Sequence, residues 1–189
     1  GRLDKDSEGL LLMTNDGDFA NMLTHPSHEI SKLYRVTVRP HATEQQIVQM
    51  SEGVVLDDGV KTQPAVINVA VDEPERTVLE MTIHEGKNRE IRRMCEAVGL
   101  EVVRLKRNAE GAVKLGMLQP GQYRELTKAE VNALRAAAVK GANRTRNQQG
   151  EARAEARKAR AAARSARPAR PGAPKAGPGK TAAKRSFKK

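Results

Sequence analysis

The chain has 189 residues, of which 38% are hydrophobic and 2% aromatic, and its formal net charge is +11. This length allows one domain of common size plus an extension, and a single cysteine, Cys95, excludes an intramolecular disulfide and a four-thiolate metal site. No run reaches the roughly 18 apolar residues of a membrane span and the start lacks a signal-peptide pattern, so we expect a cytoplasmic protein.

Strands and helices alternate along the first 140 residues. We predict a buried strand at 9–14, a helix at 18–25, a strand at 32–40, a helix at 43–53, a hairpin at 54–62, strands at 64–73 and 76–85, a helix at 88–99, strands at 101–111, 112–116 and 123–126, and a helix at 127–138. Neighbouring strands joined by tight turns favour a mixed, mainly antiparallel sheet with packed helices, which is an α+β fold.

Several of these elements carry specific signals. In KLYRVTVRP, Tyr34, Val36 and Val38 alternate with Leu33, Arg35 and Thr37, as expected for a strand with two different faces. Thr43 and Gln46 have the spacing of a capping box, and Thr127 precedes the last helix as its cap.

The positive charge lies in the last part of the chain. Residues 141–189 contain 15 Lys/Arg and 2 Asp/Glu, whereas residues 1–140 contain 19 Lys/Arg and 21 Asp/Glu. We therefore place the domain at 1–140 and predict a disordered Ala/Arg/Lys/Pro-rich tail at 141–189. Residues 150–166 can become helical on an RNA backbone; the alternative is a solubilising tail that binds phosphate without sequence preference.

The opening segment, GRLDKDSEGLLLMTNDG, places Asp4 near Arg2. A calcium loop is rejected because its twelfth position falls on Asn15 and no helix can precede Asp4. Spacing alone favours a surface ion pair, which contributes roughly 0–1 kcal/mol. The four histidines are dispersed without metal-ligand spacing, so we predict no metal site.

Three blocks carry a resemblance: the opening segment, HPSHEISKLYRVTV, and IHEGKNREIRRMCEAVGLEVVRLKRNAEGAVKLGMLQPGQYREL. Their order and spacing resemble the ribosomal RNA pseudouridine synthases of the RsuA/RluB/RluE/RluF family, over nearly all of residues 1–139. The resemblance implies that family's catalytic fold and isomerisation of uridine to pseudouridine in ribosomal RNA, favouring the large subunit, with no metal or organic cofactor. Members usually carry a small RNA-binding domain before the catalytic one, so we also expect an N-terminally incomplete chain.

The resemblance also implies roles for individual residues. Asp4 matches the catalytic acid, Arg92 its ion-pair partner, Tyr34 the ring that stacks on the flipped base, Arg2 a residue beside the target nucleotide, and Leu105 the apolar wall under the base. The carboxylate can abstract a sugar proton, add to the base or shield positive charge at the anomeric carbon, and each route requires it to be ionised. A phosphate contact for Arg2 and a structural core position for Tyr34 stay open as alternatives.

A basic cluster at the start of the helix at 88–99 is a candidate RNA contact. Lys87, Arg89, Arg92 and Arg93 form a predicted positive patch, to which we add Lys32; the alternative is a solvated face balanced by neighbouring glutamates. The expected partner is ribosomal RNA or a pre-ribosomal particle, bound by a monomer. The rival functions are a non-catalytic RNA-binding or ribosome-assembly protein, or the same chemistry on small-subunit or transfer RNA.

Overall fold

The structure is a computed structural model and describes residues 1–165. Its elements are β1 (Glu8–Gly9), α1 (Gly17–Thr24), a 3-10 turn (Pro26–His28), β2 (Lys32–Arg39), α2 (Glu44–Glu52), β3 (Val66–Glu73), β4 (Arg76–Ile83), α3 (Glu90–Ala97), β5 (Glu101–Glu110), β6 (Val113–Lys114) and α4 (Lys128–Ser165). Among the described residues no helix is both long enough and apolar enough to cross a membrane.

The strands form one mixed sheet in the order β1-β5-β2-β4-β3, with β6 paired to β5. Only the two-residue β1 runs parallel to its neighbour, and the other pairings are antiparallel. The predicted mixed, mainly antiparallel sheet with packed helices is therefore confirmed.

The predicted alternation of β2 builds the main core. Val36 lies opposite Leu79 of β4 and Leu105 of β5, so the three side chains share one face of the sheet. That face is covered by buried side chains of the helices α2 and α3, including Met50 and Met94. Burial of this apolar face is the main stabilisation that joins sheet and helices.

Towards one end, the same face of the sheet becomes polar. Tyr34 lies opposite Met81 and Arg107, and the next residue in phase on β2, Lys32, lies opposite Ile83 and Glu110. A register irregularity between Leu33 and Tyr34 in the β2–β5 pairing occurs at this point. The core face therefore continues into a row of charged and aromatic side chains.

A second apolar cluster joins α1 to α4. Leu10, Phe19 and Leu23 pack there with Leu134 and Ala138, all of them buried. Caps fix where both helices begin: Phe19 N donates to Asp16 Oδ1 (2.9 Å), and Thr127 Oγ1 accepts from Glu130 N (3.2 Å) while a Glu130 carboxylate oxygen accepts from Thr127 N (2.9 Å). The predicted cap at Thr127 is confirmed, as is the capping box of Thr43 and Gln46 in α2.

Two strand predictions are wrong in extent. The strand predicted at 9–14 is reduced to Glu8–Gly9, because the edge of β5 beyond Arg107 is occupied by β6, which pairs at Ala109 and Glu110. Gly9 has a φ of 110°, and a Cβ there would lie 2.2 Å from the Arg107 carbonyl oxygen, so only glycine permits this close approach. Residues 123–126, also predicted as a strand, pair with no strand of the described chain.

Helix α4 continues past residue 140, where we predicted the domain to end. The Gly141 backbone packs against the 3-10 turn, where a Cβ would lie 1.8 Å from the His28 carbonyl oxygen, and Thr145 Oγ1 donates to the Ser27 carbonyl (2.9 Å). These contacts explain why the first compact unit extends to Gly150. The second unit begins at Glu151 and is helical through Ser165, within the predicted tail; residues 166–189 lie outside the described residues.

Candidate active site

A cleft of about 510 Å³ lies at the polar end of the sheet face. Its floor comes from β2, β4 and β5, and its walls come from the opening loop and from the segment that leads into α3. This volume lies within the roughly 300–1,000 Å³ typical of small-ligand sites.

Seven of the nine residues predicted for the site line this cleft. They are Arg2, Asp4, Lys32, Tyr34, Lys87, Arg89 and Leu105. Leu105 is buried and belongs both to the cleft and to the main core, which agrees with an apolar wall. The two other predicted residues, Arg92 and Arg93, do not line the cleft.

Asp4 lies in a tight turn of the opening loop and is half-buried. The turn is closed by Ser7 N, which donates to the Asp4 carbonyl oxygen (3.0 Å). Within residues 1–165, no ion pair joins Asp4 to Arg92, so the predicted pair is not found. Arg92 instead donates from Nη2 to the Asp6 carbonyl (2.6 Å) and from Nη1 to the Val102 carbonyl (3.1 Å), and so fixes the loop that carries Asp4 through its backbone.

The predicted basic patch is divided among different partners. Arg89 precedes α3 with a left-handed backbone (φ 48°) and lies 3.6 Å from an Asp6 carboxylate oxygen, while Lys87 pairs with Glu85. Arg93 points away from the cleft and pairs with Asp57 and Asp58 of the hairpin, with a 2.6 Å hydrogen bond from Nε to Asp57. The contacts of Arg93 are therefore those of a residue that joins α3 to the hairpin, and they do not support its predicted RNA contact.

Three buried charged residues of the cleft were missed by the sequence reasoning. Arg107, Glu110 and Glu90 are only 3%, 4% and 4% exposed, yet all three line the cleft. A signal for Arg107 existed, because it is in phase with Leu105 and Ala109 on β5 and so occupies an inward position where an apolar residue is expected. A charged residue that points into the protein needs an ion-pair or hydrogen-bond partner, or a functional role that explains its burial.

Burial changes the proton affinities of several cleft residues. It raises the pKa of Tyr34, an effect that the neighbouring Arg107 guanidinium opposes, and it lowers the pKa of Lys32. Burial, together with a hydrogen bond to the Glu85 carboxyl, raises the pKa of Glu90 to about 8. The site therefore holds titratable side chains away from bulk water, as active sites commonly do.

No group of three or more His, Cys, Asp or Glu side chains in the described part of the chain has the arrangement of a metal site. What the cleft does offer is a half-buried carboxylate, an aromatic ring and an aliphatic wall, surrounded by guanidinium and ammonium groups. Such a set suits a flat ring with polar groups at its edge.

Comparison with known proteins identifies the family. A family model described as RNA pseudouridylate synthase matches residues 1–97. The ribosomal large subunit pseudouridine synthase B of Bacillus subtilis (strain 168) is 46% identical over 145 residues, which cover 76% of this chain and 59% of that protein. The chain belongs to the RNA pseudouridylate synthase family.

Further relatives agree with this membership. The ribosomal large subunit pseudouridine synthase E of Xanthomonas campestris pv. campestris is 44% identical over 139 residues, covering 66% of this chain and 74% of that protein. A crystal structure of a pseudouridylate synthase superposes with a TM-score of 0.67 at 36% identity, over 71% of this chain and 57% of that one, which confirms the predicted fold. The chain spans 52–59% of the length of several curated synthases that it matches.

Proposed function

We propose that this protein isomerises uridine to pseudouridine in ribosomal RNA, and that large-subunit ribosomal RNA is its substrate. The family membership supports the reaction, and the names of the B and E relatives support the large-subunit substrate. The observation that carries the proposal is the cleft, because it brings Asp4, Tyr34 and Leu105 together from three separate parts of the chain.

The reaction exchanges one glycosidic bond for another. The bond between N1 and the ribose breaks, the base turns, and C5 bonds to the same ribose carbon; C5 loses a proton and N1 gains one, so there is no net redox change. The proposed catalytic group is the Asp4 carboxylate, which acts at the sugar or at the base by one of the three routes above. Each route places an ionised carboxylate beside the nucleoside.

The other cleft residues bind and orient the nucleotide. Tyr34 and Leu105 hold the two faces of the base, and Arg2, which is exposed at the cleft, contacts the strand beside the target. The nucleotide must leave its stack, because the reacting atoms are enclosed in folded RNA. Arg92 positions Asp4 through the Asp6 carbonyl rather than by an ion pair.

Substitution of Asp4 tests the catalytic role. Asp4→Asn keeps the size of the side chain and removes its charge, so we expect loss of tritium release from C5-labelled uridine in ribosomal RNA while RNA binding is retained. The matched control is Asp18→Asn, an exposed position in the first turn of α1 outside the cleft, which should keep full activity. Equal tritium release from Asp4→Asn and the parent would refute the proposal and favour a non-catalytic RNA-binding protein.

We also infer that the protein works as a monomer on ribosomal RNA or a pre-ribosomal particle in the cytoplasm. The names of the B and E relatives support the ribosomal RNA partner. Chemical mapping of pseudouridines in ribosomal RNA from cells with and without the gene would identify the subunit and the nucleotide. Light scattering of the purified protein would test the monomer.

A further inference from the structure

Arg107 is the most deeply buried cation of the cleft, at 3% exposure. Its Nε donates to the Leu10 carbonyl oxygen (2.7 Å), which fixes the plane of the guanidinium. Its Nη2 is buried and makes no hydrogen bond, although Glu110 Oε2 lies 3.6 Å away. Buried N–H groups almost always have a partner, so the guanidinium of Arg107, which lines the cleft, keeps an unused donor.

The position of Arg107 relative to Tyr34 supports this interpretation. The two residues are direct partners in the β2–β5 register and therefore lie on the same face of the sheet. Both line the cleft. A ring packed on Tyr34 would direct its edge towards β5, where Arg107 lies opposite Tyr34.

The charge around Arg107 indicates what kind of oxygen it would bind. Glu110, itself 4% exposed, already balances the guanidinium, and the two form a buried pair. A cation compensated in this way is poorly suited to bind a phosphate but keeps its N–H donors for a neutral acceptor. The carbonyl oxygens of uracil are such acceptors.

We propose that Arg107 is a substrate-binding residue whose guanidinium donates a hydrogen bond to a carbonyl oxygen of the uracil ring, and that Glu110 keeps this guanidinium in place. The inference rests on the proposed function and adds a residue to which the sequence reasoning gave no role. The contact fixes the edge of the base while Tyr34 and Leu105 hold its faces.

The first test measures whether the guanidinium lies at the Tyr34 ring. The chain has two tyrosines and no tryptophan, and Tyr123 is 91% exposed, so a Tyr123→Phe background leaves Tyr34 as the only phenol to titrate by ultraviolet absorbance. Since Arg107 opposes the rise in the Tyr34 pKa, Arg107→Met should move that pKa further upward. The control Lys106→Met, which removes a cation of β5 that does not line the cleft, should leave it in place.

Arg107→Met leaves Glu110 buried without its partner and can fail to fold. The double variant Arg107→Met/Glu110→Gln removes both charges, and it should show a smaller upward shift of the Tyr34 pKa, because Arg107 lowers that pKa more strongly than Glu110 raises it. Circular dichroism across the titration confirms that the fold is kept. An unchanged Tyr34 titration in a folded double variant would overturn the inference.

The second test measures uridine conversion. Loss of a charged hydrogen bond to the base should lower kcat/KM by roughly 10- to 100-fold. The Kd for ribosomal RNA should change little, because phosphate contacts are left intact. If the double variant has the same kcat/KM as Lys106→Met, the role of Arg107 is overturned but the proposed function is not. An inactive parent protein would overturn the proposed function itself.

Discussion

Glu90 makes the stability of the protein depend on pH. It begins α3, its Oε2 accepts from Lys87 N (2.9 Å), and its carboxyl is buried beside that of Glu85. Burial and the neighbouring Glu85 carboxyl outweigh the opposing hydrogen bond from Lys87 N and raise the pKa of Glu90 from 4.5 to about 8, so between these values the folded protein holds a proton that the unfolded chain has released. Stability therefore falls as the pH rises through this window and levels off above about 8.

Replacing Glu90 by Gln removes this dependence. The amide keeps an oxygen for Lys87 N and donates an N–H to Glu85 in place of the O–H of the protonated acid. A shift from 4.5 to about 8 corresponds to at most about 5 kcal/mol at 1.36 kcal/mol per pH unit. The pKa of Glu85 is lowered within the same coupled pair, so we expect a smaller gain for Glu90→Gln, about 2–3 kcal/mol at pH 8.5.

Urea unfolding followed by far-ultraviolet circular dichroism at pH 5 and pH 8.5 measures this difference. The advantage of Glu90→Gln over the parent should be small at pH 5 and large at pH 8.5. Glu96→Gln is the matched control, because Glu96 is exposed on the same helix and should leave the pH profile unchanged. Parallel profiles for Glu90→Gln and the parent would refute the reasoning.

Two further predictions concern α4 and the basic end of the chain. Gly141→Ala should lower stability by about 1–3 kcal/mol, because its Cβ would collide with the 3-10 turn, whereas Gly150→Ala, with nothing within 4 Å, should raise it by about 0.5–1 kcal/mol. Equal gains in thermal unfolding would contradict the packing of α4 past residue 140. Removing residues 151–189, with 13 Lys/Arg and 2 Asp/Glu, should flatten the salt dependence of RNA binding, and an unchanged slope between 50 and 200 mM salt would show that this segment does not contact RNA.

Local patterns predicted the elements that depend on local physics. The alternation in KLYRVTVRP placed Tyr34, Val36 and Val38 on one face. The structure confirms this, because their β4 partners, Met81, Leu79 and Thr77, are also spaced two residues apart. Capping residues likewise fixed the starts of α2 and α4. Helix capping and side-chain alternation depend on residues that are close together in the chain, so one sequence is enough to predict them.

Contacts between distant segments were not predictable in the same way. Arg93 forms ion pairs with Asp57 and Asp58, which lie 35 or more residues earlier in the chain. Its position on the helix therefore gave no indication that it would pair with these carboxylates. The length of β1 depends on β6, which competes for the same edge of β5 and lies about 100 residues later. Both outcomes are decided by tertiary packing rather than by local preference.

Charge pairing inside the cleft supports the proposed substrate, because the paired cations suit a neutral base better than a phosphate. Lys87 pairs with Glu85, Arg89 with Asp6, and Arg107 with Glu110. Three of the five positively charged side chains that line the cleft therefore have a carboxylate partner. A phosphate would have to displace those carboxylates, whereas a neutral ring needs only the remaining N–H donors. Attraction to the RNA backbone then falls to Arg2 and Lys32 and to residues outside the cleft, among which the 15 Lys/Arg of residues 141–189 hold the greatest excess of positive charge in the chain.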